Sequence, residues 1–264
     1  MTMCEQESCR PVGGNEEFRK GPPHSFDEWH QQTKLTVMRC LFESYLGPGC
    51  RFMDVACGDG DGLVLAKRVR PDADLWGMDV DLLSLRQAKR RVPNAKLYAG
   101  DVYHLDQLPD SRFDVVHEYG LTYLLERWDV AVRHYLRLVR PGGVLLWELP
   151  QRWSLAHTMF LLARAPQRDP EESSLHRLVR SCLPSKYAFP SDDAIAGALN
   201  RQGYRVELLE RTPIWHFYCH GPVKQALDHI SQGAGEGFYG RLDRSVGRLW
   251  SRYSGLYLAL RRLA

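Results

Sequence analysis

From residue 51 onward the chain alternates two apolar patterns. Short runs in which most positions are apolar, at residues 51–55, 75–80, 96–102, 113–118 and 144–148, are separated by stretches whose apolar residues recur at helical spacing. Short continuous runs suit strands buried on both faces of a parallel sheet, and the intervening stretches suit helices that cover it. Residues 204–210 and 254–260 have the same character and extend the pattern to seven strands. The predicted class is α/β, a doubly wound sheet. The connection between the last two strands is far too long for a hairpin, which predicts an insertion at about 214–252. Ahead of the first strand, Ser25 and Glu28 form a capping box, and Phe26, Trp29, Leu35, Met38, Leu41 and Tyr45 recur as on a helix. After the fifth strand, helices are predicted at 153–164 and 175–182, and a further one starts at Ser191-Asp192-Asp193 and ends by Gly203.

Composition narrows the class without changing it. An apolar fraction of 44% over 264 residues fills a substantial core, and a net charge of +3 gives no general reason to expect nucleic acid. Seven scattered cysteines without a close pair indicate neither a disulfide framework nor a metal site, so a reducing, cytoplasmic setting is expected. No run is long enough to span a membrane. Residues 1–24 lack apolar periodicity and are expected to be a flexible leader, with residues 25–264 forming a single domain. Arginine outnumbers lysine, which fits a GC-rich bacterial genome.

The chemistry concentrates at the end of the first strand. Asp54-Val55-Ala56-Cys57-Gly58-Asp59-Gly60-Asp61-Gly62 is a glycine-rich turn with acids and no lysine. Such a turn brings backbone N–H groups close to a cofactor, but a phosphate here would meet Asp54, Asp59 and Asp61. A cationic, phosphate-free nucleoside fits that charge pattern better. Leu63 also stands where the dinucleotide fingerprint needs a third glycine or alanine. Asp79 closes the second strand, where a carboxylate can accept both ribose hydroxyls, and Gly100-Asp101 closes the third.

With these marks in order, the chain resembles the class I S-adenosylmethionine-dependent methyltransferases over roughly residues 30 to 150. The family's acid and Gly-x-Gly-x-Gly loop match Asp54 to Gly62, with Ala56 in place of the first glycine, a departure expected to cost only some backbone latitude. Its turn before strand five matches Arg140-Pro141-Gly142-Gly143. The resemblance implies a Rossmann-like sheet with an antiparallel last strand and S-adenosylmethionine as cofactor, converted to S-adenosylhomocysteine. It implies cofactor contacts from Asp54, Ala56, Cys57, Gly58, Gly60, Asp79, Val80, Asp101, Val102 and His117. It also implies that the insertions at about 151–200 and 214–252 cover the substrate, with Trp29 as a lid candidate.

Methyl transfer needs positioning above all, and a base only where the acceptor must lose a proton. Glu118 and Tyr119, at the end of the fourth strand, and His157 and His216, from later segments, are the catalytic candidates, with His220 nearby in sequence. The nitrogen-methylating motif is absent, since this chain reads His117-Glu118-Tyr119-Gly120. Trp215, Phe217, Tyr218, Phe238, Tyr239, Trp250 and Tyr253 suit a pocket wall for a small organic substrate. The expected activity is therefore methylation of a small organic acceptor at oxygen, in a bacterial biosynthetic pathway. Two alternatives stand beside it: an RNA methyltransferase using Arg241, Arg244, Arg248 and Arg252, and a cofactor-binding enzyme that catalyses a cyclisation or elimination. A small-molecule partner is expected, without membrane or nucleic acid, and a homodimer is left open.

Overall fold

The computed structural model describes residues 26–150, 191–201, 204–214, 228–230, 238 and 255–263. A helix α1 (Phe26–Tyr45) leads into a βα repeat: β1 (Arg51–Val55), α2 (Asp61–Val69), β2 (Asp74–Asp79), α3 (Leu82–Arg91), β3 (Lys96–Ala99) and β4 (Phe113–Glu118). A 3-10 turn at Thr122–Leu124 precedes α4 (Trp128–Leu138) and β5 (Val139–Pro150); α5 (Asp192–Arg201), β6 (Val206–Ile214) and β7 (Gly255–Arg262) follow. The strands form one sheet in the order β3-β2-β1-β4-β5-β7-β6. β1 to β5 run parallel, and β7 runs antiparallel to both β5 and β6. This is the doubly wound, Rossmann-like sheet with a reversed last strand.

Alternation along the strands sends side chains to two cores. On one face Val116, Leu145 and Trp147 pack with α4 and α5. On the other Phe52, Val115 and Leu146 pack with α1, α2 and α3. α1 contributes Met38, Leu41 and Phe42, all buried. At about 1.5–3 kcal/mol for each fully buried apolar side chain, these outweigh the helix's weak amphipathicity and fix it beside the first strand. The switch in strand order at β1 and β4 opens a crevice at the carboxyl ends of the strands, where ligands bind in such sheets.

One boundary differs from expectation. The turn predicted before strand five lies inside β5: Val139 is paired with Phe113 and Val144 with Val115, so Arg140 to Gly143 bulge opposite Asp114 alone. Gly142 has φ +77°, and a Cβ on Gly143 would come within 2.8 Å of the Asp114 carbonyl oxygen. Arg140 Nε donates to Asp114 Oδ1 at 2.6 Å and ties the bulge down. The helices predicted at 153–164 and 175–182, the leader, and most of the later insertion lie outside the described residues.

Candidate functional site

The chain leaves β1 through three left-handed residues, Ala56 (φ +56°), Gly58 (φ +52°) and Gly60 (φ +91°). Cys57 N donates to the Met78 carbonyl at 2.9 Å, and Gly58 N donates to Asp79 Oδ2 at 2.8 Å, so the loop is pinned to the end of β2. A Cβ on Gly58 would meet nothing within 4 Å, which leaves this side of the loop open to a ligand. On Gly60 it would lie 3.0 Å from Ala88 Cβ of α3. Ala56 corrects the expectation of a cheap departure: a left-handed alanine costs roughly 1–2 kcal/mol, held here by the strand and helix on either side.

The charge picture is also corrected. Arg91 of α3 binds two of the loop's acids, Nη1 to Asp59 Oδ2 at 2.9 Å and Nη2 to Asp61 Oδ1 at 2.6 Å. Asp61 Oδ2 also accepts from Gln31 Nε2 and lies 3.6 Å from Lys34 Nζ, both on α1. Burial works to raise the Asp61 carboxyl, but Arg91 and Lys34 outweigh it and hold it below its ordinary range. Asp54 is buried. The acids left at the crevice are therefore Asp79, half-buried at the end of β2, and Asp101, exposed after β3. Asp79 Oδ1 accepts Asp81 N at 2.9 Å, and Asp101 Oδ1 accepts Tyr103 N at 2.9 Å. Val80, Leu82 and Leu83 follow Asp79 as exposed apolar side chains, an apolar wall beside a carboxylate.

Beneath the loop a polar chain crosses the sheet. His117 Nδ1 lies 2.7 Å from Asp54 Oδ1, and His117 Nε2 lies 2.8 Å from Tyr257 Oη on β7. With Nδ1–H donating to Asp54, Nε2 accepts from the tyrosine, which satisfies all three groups. Phe42 and Phe52 pack on the imidazole. His117 is thus a buried brace, not a group facing the crevice. Glu118, likewise, does not open onto the crevice: it is 0% exposed, and its oxygens accept three bonds from Leu121 and Thr122. Burial first, then Glu148, push its carboxyl up to about 8. Cys57 is a buried thiol, pushed up by burial and by Asp54 and Asp79. Val102 is a core residue.

Gly58, Asp79 and Val80 therefore lie together at the carboxyl ends of β1 and β2, with Asp101 just after β3, while Gly60 packs against Ala88 of α3. Tyr119 follows the end of β4, half-buried, with Lys34 Nζ 5.0 Å from its ring centre and Tyr257 tilted against it at 5.6 Å. His157, His216 and His220 lie outside the described residues, as do the side chain of Trp29 and the arginine series from Arg241. Sequence reasoning missed Tyr257, Lys34, Gln31, Arg91 and Thr122 as parts of the site. Glu148 carried a signal, a charge inside an apolar strand, which calls for a buried partner.

The open glycine turn, the acid beside it and the apolar wall fit a nucleoside without phosphate. Residues 52–143 match the family model described as a methyltransferase domain. A fatty-acid O-methyltransferase of Mycolicibacterium smegmatis is 29% identical over 187 residues, 65% of this chain and 67% of its own length. A trans-aconitate 2-methyltransferase of Variovorax paradoxus is 25% identical over 245 residues, 89% of this chain and 86% of its own. Among solved structures, an S-adenosylmethionine-dependent methyltransferase of Mesorhizobium loti shares the fold with a TM-score of 0.54 and 17% identity, covering 88% of this chain and 98% of the other. Over residues 52–143 the chain carries a methyltransferase domain, and its relatives and fold support a class I S-adenosylmethionine-dependent methyltransferase.

Proposed function

We propose that this enzyme methylates a carboxylate oxygen of a small organic acid, in a bacterial biosynthetic pathway. The observation that carries this reading is how the titratable groups at the ends of β1, β4 and β5 are used. Asp54 and His117 bind each other, His117 also binds Tyr257, Glu118 holds Leu121 and Thr122, and Glu148 holds Gly120. Of the described base candidates, only Tyr119 is accessible. A carboxylic acid, with a pKa of about 4, reaches the site already ionised and needs no base. Lys34, 3.6 Å from Asp61 Oδ2, also sets a cation beside Tyr119. Two relatives carry names, fatty-acid and trans-aconitate methyltransferase, that specify acids.

In this reading S-adenosylmethionine supplies an electrophilic methyl on a sulfonium sulfur. Asp79 would accept the ribose hydroxyls, Asp101 and Val80 would hold the adenine, and the backbone of Gly58 would line the approach. Water exclusion around the acceptor would keep its carboxylate poorly hydrated and reactive. Near-attack positioning supplies most of the rate, on the order of 7 kcal/mol or more. The test is transfer of labelled methyl from S-adenosylmethionine to a panel of fatty acids, di- and tricarboxylic acids, phenols and amines. Base-labile methyl esters that release methanol on mild hydrolysis are expected. Label found only in base-stable ethers or amines would refute the carboxylate reading.

A further inference from the structure

The turn after β4 is held from both faces of the sheet by acids. Glu118 lies on the α4 face with Trp147, and Glu148, one residue further along β5, lies on the opposite face with Tyr257. Both are fully buried. Glu118 Oε1 accepts Leu121 N at 2.6 Å and Thr122 N at 3.2 Å, and Thr122 Oγ1 donates to Glu118 Oε2 at 2.7 Å. Trp147 Nε1 donates to Thr122 Oγ1 at 2.7 Å, and Glu148 Oε2 accepts Gly120 N at 3.1 Å. Three successive backbone N–H groups thus end on two carboxyls. Gly120, at φ +78°, gives the sharp bend this requires.

We propose that Glu118 and Glu148 are a positioning pair that fixes the 119–122 turn in its cofactor-binding shape. The turn follows the carboxyl end of β4, the edge at which such sheets bind ligands, and presents Tyr119 between Lys34 of α1 and Tyr257 of β7. Two carboxyls sealed at neighbouring strand ends do not both ionise without a large desolvation cost. Among the described residues, the titratable groups interacting with Glu118 are Glu148 on β5, Tyr135 on α4 and, across the sheet, Tyr257 on β7, and none of these is a cation. The Tyr135 hydroxyl is itself buried without a hydrogen-bond partner among the described residues. Tyr135 and Tyr257 are both raised, by burial first and with Glu118 among the further causes.

The direction with pH follows. The folded carboxyl of Glu118 sits at about 8 against an ordinary 4.5, so the folded state holds a proton that the unfolded chain has already released. Stability contributed by the neutral Glu118 carboxyl is complete below the ordinary value and is lost as pH rises through about 8. Cofactor affinity, which senses only folded protein, stays level up to that point and then falls, by up to about tenfold per pH unit for one linked proton. This inference concerns the cofactor alone and stands apart from the identity of the acceptor.

Calorimetric titration of the full chain with S-adenosylhomocysteine between pH 6 and pH 9.5 tests it. The wild type is expected to lose affinity above about pH 8. Glu118→Gln, which mimics the neutral acid, is expected to bind at pH 9 within threefold of its own value at pH 7. Glu148→Gln removes the repulsion that raises Glu118, so its falling limb is expected at lower pH than in wild type. If Glu118→Gln does not fold, the Glu148→Gln limb decides alone. A level wild-type profile, a limb that persists unchanged in Glu118→Gln, or an unmoved limb in Glu148→Gln would each overturn the proposal.

Discussion

Asp79→Ala is expected to weaken S-adenosylhomocysteine binding by about 1–3 kcal/mol, roughly 5- to 150-fold. Two losses combine. The carboxylate proposed to accept the ribose hydroxyls disappears, and so does the acceptor for Gly58 N at 2.8 Å, which shapes the loop before any ligand arrives. Asp79→Asn separates them, because the amide oxygen can still accept from Gly58 N while the charge is gone. Its affinity should fall between wild type and alanine. A dissociation constant for Asp79→Ala within twofold of wild type would remove Asp79 from the cofactor site.

Gly62→Ala is expected to destabilise the protein by about 1–3 kcal/mol, the range for overpacking a tight core. Helix propensity alone predicts the reverse, since alanine inside a helix is favoured over glycine by about 1 kcal/mol. The structure reverses the sign. Gly62 is buried near the start of α2, and an added Cβ would overlap Asp54 Oδ2 well inside van der Waals contact. Asp54 is not free to swing away, because His117 holds its other oxygen and Tyr257 holds His117. The clash therefore pushes α2 off the loop, and cofactor affinity should fall with stability. Urea unfolding with an unchanged m-value and a lowered midpoint is the expected result. A higher midpoint than wild type would show that the Asp54 brace yields.

The strands of this fold were legible because a parallel strand buried on both faces writes itself as an apolar run, and β1, β2 and β4 fall within a residue of the runs in the sequence. The order of acids and glycines around those runs was enough to put Gly58, Asp79 and Asp101 at the carboxyl ends of β1, β2 and β3. What failed depended on contacts distant in sequence. Asp59 and Asp61 read as charges bare to a ligand, because nothing near them announces Arg91, thirty or so residues on and one helix away. His117 and Glu118 read as crevice groups because they end a strand that points there. The brace of His117 comes from Tyr257, 140 residues later, on a strand whose sheet position no local pattern specifies. Glu118 could be placed at a strand end, but not its enclosure by Thr122, Trp147 and Glu148. Arg140 to Gly143 read as a plain turn, because a bulge and a turn use the same glycines.

The open glycine turn and the carboxylates of Asp79 and Asp101 are proposed to receive a phosphate-free, cationic nucleoside. Titrating the full chain with S-adenosylmethionine, S-adenosylhomocysteine and NAD in parallel tests this directly. Saturable heat with the first two and none with NAD is the predicted result. Tight binding of NAD without heat from either sulfur nucleoside would contradict it.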